Sequence, residues 1–200
     1  MNYKLVDNRI EFTDEKLTEN STNMISVIST YKFTKYMEQM PDGISILRSN
    51  ETRYTKLDVK NKYLQGVIYM PSKKDIFNHT RFGYLIFNRN ILFIDSSDTV
   101  INIIEQLRHS SIDMPTIWKF YYHFLNMLID RDLLYLQDIE NSLSTFENNL
   151  LDAGIDEHNH TDIIYIRKKL FNQYRFYTQL FEIEHKLNEV DHITLTPNED

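Results

Sequence analysis

The sequence predicts an α+β fold, α/β/α-like in its layering: a mixed or mostly antiparallel sheet covered by helices, followed by a long antiparallel helical hairpin. Three observations predict it. Short apolar runs separated by polar turns fill the first half of the chain, and long periodic segments fill the second. Residues 116–152 contain neither Gly nor Pro, so nothing in them breaks a helix. A second periodic stretch runs to Val190, and the polar connection before it is short enough to make the two segments antiparallel neighbours.

Taken in order, residues 3–13 read as two short strands around Asp7-Asn8, a dipeptide suited to a tight hairpin turn. Residues 14–23 are polar and read as a loop, and residues 24–29 (MISVIS) as a buried strand. Tyr31, Phe33, Tyr36, Met37 and Met40 have helical spacing, ended by Pro41. Residues 55–59 and 63–70 flank Lys60-Asn61-Lys62 as a hairpin, and residues 71–81 read as a loop. Residues 84–87 and 91–94 flank Asn88-Arg89-Asn90 as a second hairpin. Its nearly continuous apolar strands suit a sheet covered on both faces. Ser97 or Asp98 caps a helix through Val100, Ile103, Ile104 and Leu107 that ends near Ser110.

The hairpin follows. Leu136, Ile139, Leu143, Phe146 and Leu150 recur at spacings of three and four, on one face of a continuous helix over 116–152. At 1.5 Å per residue that helix would run about 55 Å. Its partner starts at Thr161 or Asp162 and carries Ile163, Ile166, Leu170, Tyr174, Tyr177, Leu180, Ile183, Leu187 and Val190. Pairing about the tip sets Leu143 near Leu170, Ile139 near Tyr174 and Leu136 near Tyr177, with Arg167 opposite Glu147. The expected organisation is a sheet subdomain over 1–112, the hairpin packed on it over 113–192, and a disordered tail over 193–200.

The composition is that of a soluble protein, 42% hydrophobic and 26% charged. With no cysteine, disulfides and thiolate metal sites are excluded. No apolar run approaches the roughly 18 residues that span a bilayer. The net charge is −7, and residues 130–162 hold nine acids against the single base Arg131. That excess argues against a nucleic-acid surface there and fits a solvated helix face.

Motifs of catalysis are missing. The four glycines are too dispersed for a phosphate-cradling loop, and neither G-x-S-x-G nor H-E-x-x-H occurs, so no enzyme is expected. The one cluster of candidate metal ligands lies at the hairpin tip: Asp152, Asp156, Glu157, His158, His160 and Asp162. Carboxylates with imidazoles suit divalent ions, but the tip lacks the glycine and closing glutamate of an EF-hand. The expectation is no tightly bound cofactor and at most weak binding of magnesium or another divalent cation. Trp118, Phe120, Tyr121, Tyr122 and Phe124 crowd the start of the first long helix, as aromatics packing on a sheet do.

Four segments, in order, resemble the cytoplasmic domain of CorA-like magnesium transporters. TKLDVKNKYLQGVIYMP resembles that family's hairpin with a charged turn before a Tyr and an apolar strand. FGYLIFNRNILFIDSS resembles its second hairpin. FYYHFLNMLIDRDLLYLQDIENSLSTFENNLL resembles its aromatic and leucine-rich helix that continues through an Asp, and IIYIRKKLFNQYRFYTQLFEIEHKL its basic return helix. The likeness covers about residues 24–190.

The resemblance implies an ion-sensing and gating domain on the cytoplasmic side of the cell membrane. It further implies a homopentamer for the intact transporter and a monomer or weak dimer for this chain alone. The family's stalk and membrane helices do not follow in HITLTPNED, so the expectation is a fragment or, less favoured, a pore-less soluble relative. The family places a regulatory carboxylate on a short helix before the first hairpin. The matching residues 44–49 hold no acid, Asp42 and Glu51 being nearest, so no ligand carries over. The alternative reading is a soluble scaffold or interaction protein that uses the hairpin as a docking arm.

Overall fold

A computed structural model describes residues 1–18, 20–37, 53–60, 63–153 and 157–190. Within these the chain order is β1 (Asn2–Val6), β2 (Arg9–Phe12), β3 (Met24–Ile28), α1 (Thr30–Met37), β4 (Lys56–Lys60), β5 (Tyr63–Pro71), β6 (His79–Phe87), β7 (Asn90–Ile94), α2 (Thr99–Arg108), α3 (Ile117–Leu128), α4 (Asp132–Ala153) and α5 (Glu157–Val190). The fold is α+β with a seven-stranded mixed sheet of order β2-β1-β3-β7-β6-β5-β4. Among the described residues only the β3–β7 pairing is parallel, with Ile25 opposite Ile91; the other five are antiparallel.

Two hairpin turns follow from local chemistry. Asp7 and Asn8 have φ of 47° and 66°, and Asn88 and Arg89 have 46° and 58°. Two successive left-handed residues make the turn whose twist matches its strands. Asn88-Arg89 is therefore a two-residue turn, and Asn90, expected in it, already belongs to β7. Strand β6 begins at His79, inside the expected loop, because Pro71–His79 to Tyr63–Phe87 is one unbroken antiparallel ladder.

The alternation of side chains gives the sheet two apolar faces. Ile25, Val27, Leu64, Ile68, Phe82, Tyr84, Ile91 and Phe93 form one, covered by α2, α3 and α5. Met24, Val67, Leu85, Leu92 and Ile94 form the other, with Leu17 and Phe33 packed on it. Phe124 of α3 packs at 4.6 Å on Phe93, the rings tilted by 35°, and meets Phe82 edge-on at 5.8 Å. Each such fully buried side chain stabilises the fold by about 1.5–3 kcal/mol. Phe120, Tyr121 and Phe124 are buried as their density predicted, while Trp118 and Tyr122 lie on the outer face of α3.

Helix ends show which polar residues cap. Thr116 caps α3, its hydroxyl accepting from the Lys119 N–H at 3.1 Å. For α2 the expected caps do not act: Asp98 sits at the N-cap with no side-chain bond. Asp95 replaces them, accepting from the N–H of Val100 at 2.8 Å and of Ser97 at 2.7 Å. Its two oxygens reach what a single residue at the cap itself would reach only in part.

The second half departs from the expected continuous helix. Residues 129–131 break it, with Arg131 left-handed at φ 62°. The last turn tightens, Ile129 N–H reaching Asn126 O and Asp132 N–H reaching Ile129 O, before Tyr135 N–H to Arg131 O starts α4. The break lets α3 lie on the sheet while α4 leaves it for α5. The return helix begins at Glu157, ahead of the expected cap, because residues 157–160 contain no helix breaker. Of its expected stripe, Ile183 is buried, but Ile163, Leu170 and Tyr174 are exposed; Gln173 and Phe176 turn inward instead. Leu143 is half-buried and Ile139 buried. No helix of the described residues is long and apolar enough to cross a membrane.

Candidate functional site

The expected ligand cluster at the tip falls largely outside what the structure describes. Asp156 is outside the described residues, as are the side chains of Asp152, Glu157, His158 and His160; Asp162 is exposed on α5. Residues 42–51 and 193–200 also lie outside. Among the described residues no three His, Cys, Asp or Glu side chains gather as metal ligands do. The acids of α4 spread outward, with Asp138, Glu140 and Glu147 all exposed, and Arg167 forms no ion pair with Glu147.

Polar chemistry concentrates instead where sheet meets hairpin. Asp132, first residue of α4, is the exception among the acids, its side chain 8% exposed. Lys73, from the β5–β6 loop, ion-pairs with Asp132 Oδ1 and donates to the Asp130 carbonyl at 3.3 Å. Tyr177 of α5 donates its hydroxyl to Asp132 Oδ2 at 2.7 Å. The Lys73 ammonium also stands 6.0 Å from the Tyr135 ring centre, at the edge of cation–π range. Burial first, and then the Asp132 carboxylate, push the Tyr177 phenol well up, so it stays a donor throughout the neutral range. Tyr135 is raised by burial too, although Gln173 beside it pulls the other way.

The loop carrying Lys73 is braced from within. Ser72 N–H meets Asn78 O at 2.9 Å. Asp75 accepts from the Phe77 N–H at 2.9 Å and from the Asn78 amide at 2.6 Å. Ile76 is buried, and its carbonyl accepts from Asn172 of α5 at 3.3 Å. Lys168 covers Phe77 at 5.7 Å. A stiff turn is thus wedged against both helices of the arm.

A second set of ties joins α5 to the sheet edge. Gln179 accepts from the Thr55 N–H at 2.8 Å, and Lys186 donates to the Leu57 carbonyl at 3.1 Å. These side chains engage backbone groups that an edge strand would otherwise leave open to pairing with another chain. On its outer face α5 shows Phe171, Tyr174 (71% exposed) and Phe181 to solvent.

Sequence spacing held one unused signal for the joint. Leu128, Asp132, Tyr135 and Ile139 recur at four, three and four, so Asp132 is an acid on an apolar stripe. An ionised group there requires a partner. Nothing in the sequence marks Lys73, 59 residues earlier, as that partner.

The architecture as a whole is similar to solved structures. The soluble domain of CorA from Methanocaldococcus jannaschii superposes with a TM-score of 0.66 over 100% of this chain and 83% of that one, at 19% identity. The chain has a CorA-like soluble-domain fold. The complete CorA magnesium transporter from the same organism matches 99% of this chain with a TM-score of 0.69 and 19% identity. The chain spans 65% of that transporter's length. The ZntB cytoplasmic domain from Vibrio parahaemolyticus matches 97% of this chain and 80% of its own, at a TM-score of 0.65 and 13% identity. No protein-family model matches the sequence, and no curated protein sequence does either.

Proposed function

We propose that this CorA-like fold is the ion-sensing and gating domain of a divalent-cation transporter, magnesium being the first ion to test. The observation that carries the proposal is the superposition of the whole chain on the CorA soluble domain. The domain performs no catalysis in this reading. It stands on the cytoplasmic side of the membrane, and its role is mechanical: an ion-dependent change in the sheet body reaches a pore through the helical arm. The intact protein is a homopentamer, and the isolated chain a monomer or weak dimer, which light scattering reads directly. A stable pentamer of the isolated chain would contradict the second part.

In this reading the exposed acids Asp138, Glu140 and Glu147 of α4 attract divalent ions through their local potential alone. Binding by the chain alone is therefore weak. The test exchanges the soluble domain of the Methanocaldococcus jannaschii CorA for this chain and measures magnesium uptake into vesicles. Assembly with uptake above empty vesicles supports the proposal. A stably inserted chimera without uptake favours the alternative, a soluble scaffold whose hairpin is a docking arm.

A further inference from the structure

We infer that the Lys73–Asp132–Tyr177 cluster is a latch that fixes the angle of the helical arm against the sheet body. The inference rests on reading the arm as a relay and names the contact that sets its position. Three elements distant in sequence meet on one buried carboxylate: the β5–β6 loop through Lys73, the start of α4 through Asp132, and the middle of α5 through Tyr177. Lys73 also grips the Asp130 carbonyl, in the segment where the helix breaks and Arg131 turns left-handed.

The surroundings make this contact decisive for the angle. Residues 129–131 are exposed, and the adjacent Leu133 of α4 is 83% exposed, so apolar packing does not clamp the turn there. Helix α4 packs chiefly against α5, whereas α5 also crosses β4 and β5. Among the described residues the body's polar hold on the start of α4 is the Lys73 ammonium, carried on a loop that its own hydrogen bonds keep stiff. A carboxylate this buried keeps its hydrogen-bond and charge partners, takes up a proton, or moves to water. In the latch, opening the pair sends Asp132 toward water, and the first turn of α4 moves with it. Two discrete arrangements, paired and solvated, are what a relay needs from such a contact.

Lever geometry turns a small opening into a readable shift. Glu147 lies 15 residues beyond Asp132 on the same helix, about 22 Å at 1.5 Å per residue. A rotation of about 10° at the joint displaces it by about 4 Å.

The chain has no cysteine, so Glu11→Cys on β2 and Glu147→Cys on α4, both exposed positions, take spin labels without competition. Double electron–electron resonance then reads the distance between body and arm. The parent gives one narrow distribution. Lys73→Met and Tyr177→Phe each broaden it or shift its mean by about 4 Å or more, the displacement worked out above. Lys168→Met, which removes only the contact over Phe77, leaves it unchanged. Lys73 is 37% exposed, so its variant retains the fold, and far-UV circular dichroism verifies this. Parent-like distributions in both folded variants overturn the latch. That result would leave the proposed role untouched, because the label distance is read without ion or pore. Failure of chimera uptake, conversely, would not alter the label result.

Discussion

Gly66→Ala tests the packing of the sheet at its tightest point. On β5, Gly66 lies opposite Tyr84 of β6 and Leu57 of β4. A Cβ built on Gly66 would stand 2.3 Å from both Cζ and the hydroxyl oxygen of Tyr84, and 2.6 Å from the Lys56 carbonyl oxygen. Neither neighbour can yield cheaply. Tyr84 is fully buried, its ring 5.2 Å from that of Tyr121 on α3. Lys56 belongs to a strand paired with β5 and held from outside where Gln179 binds the Thr55 N–H. Overpacking of this kind costs about 1–3 kcal/mol where side chains can shift, and more where backbone must move. We therefore expect a loss of about 3 kcal/mol or more, or about 6–12 °C in Tm for a chain of this size. Urea denaturation followed by circular dichroism measures it, with an unchanged m-value as the control. Tyr84→Leu in the Gly66→Ala background should recover part of the loss, whereas Tyr84→Phe should not, because Cζ remains in the way. A loss below about 1 kcal/mol would refute the reasoning.

Other expectations follow from the same packing. Phe124→Ala should cost about 3–5 kcal/mol, while Phe171→Ala on the exposed face of α5 should stay within about 0.5 kcal/mol; Leu143→Ala, half-buried, should fall between them. Alkaline pH should destabilise the fold through its phenols. Tyr3 is pushed up to about 12, first by burial and then by its bond to Glu105, and burial raises Tyr84, Tyr121, Tyr135 and Tyr177 as well. A phenol raised in the folded state stabilises it fully below the unfolded value near 10. That stability drains away as pH climbs toward the folded value. Absorbance titration at alkaline pH should show these five resisting ionisation until the chain unfolds. Calorimetry with magnesium in about 0.15 M salt should give only weak, salt-sensitive heats; a stoichiometric micromolar isotherm would reveal a dedicated site.

Much of the body was legible because its signals are local. Asp7-Asn8 names its own turn and MISVI its own strand. The arm was harder, since its breaks depend on distant partners. No residue between 116 and 152 is Gly or Pro, yet α3 ends at Leu128 and Arg131 turns left-handed, beside an Asp132 that Lys73 engages from another element. Periodicity placed Tyr174 on the inner stripe, but Gln173 and Phe176 face inward. Helix α5 covers both the β4 edge and α4, so its buried surface turns from one to the other along its length. The cap of α2 shows the same limit at short range: Asp95 outcompetes Ser97 and Asp98 from three residues away by bonding two backbone N–H groups at once. As for the site, the sequence directed attention to the many acids at the tip. Among the described acids of α4, burial singles out Asp132, at the other end of the helix.

The most direct test of the proposed role is magnesium uptake by the chimera at clamped internal magnesium. The proposed sensing domain predicts uptake that changes as internal magnesium is raised from micromolar to millimolar, and a Lys73→Met chimera whose response is weakened or lost. Uptake that proceeds at one rate whatever the internal concentration would contradict it.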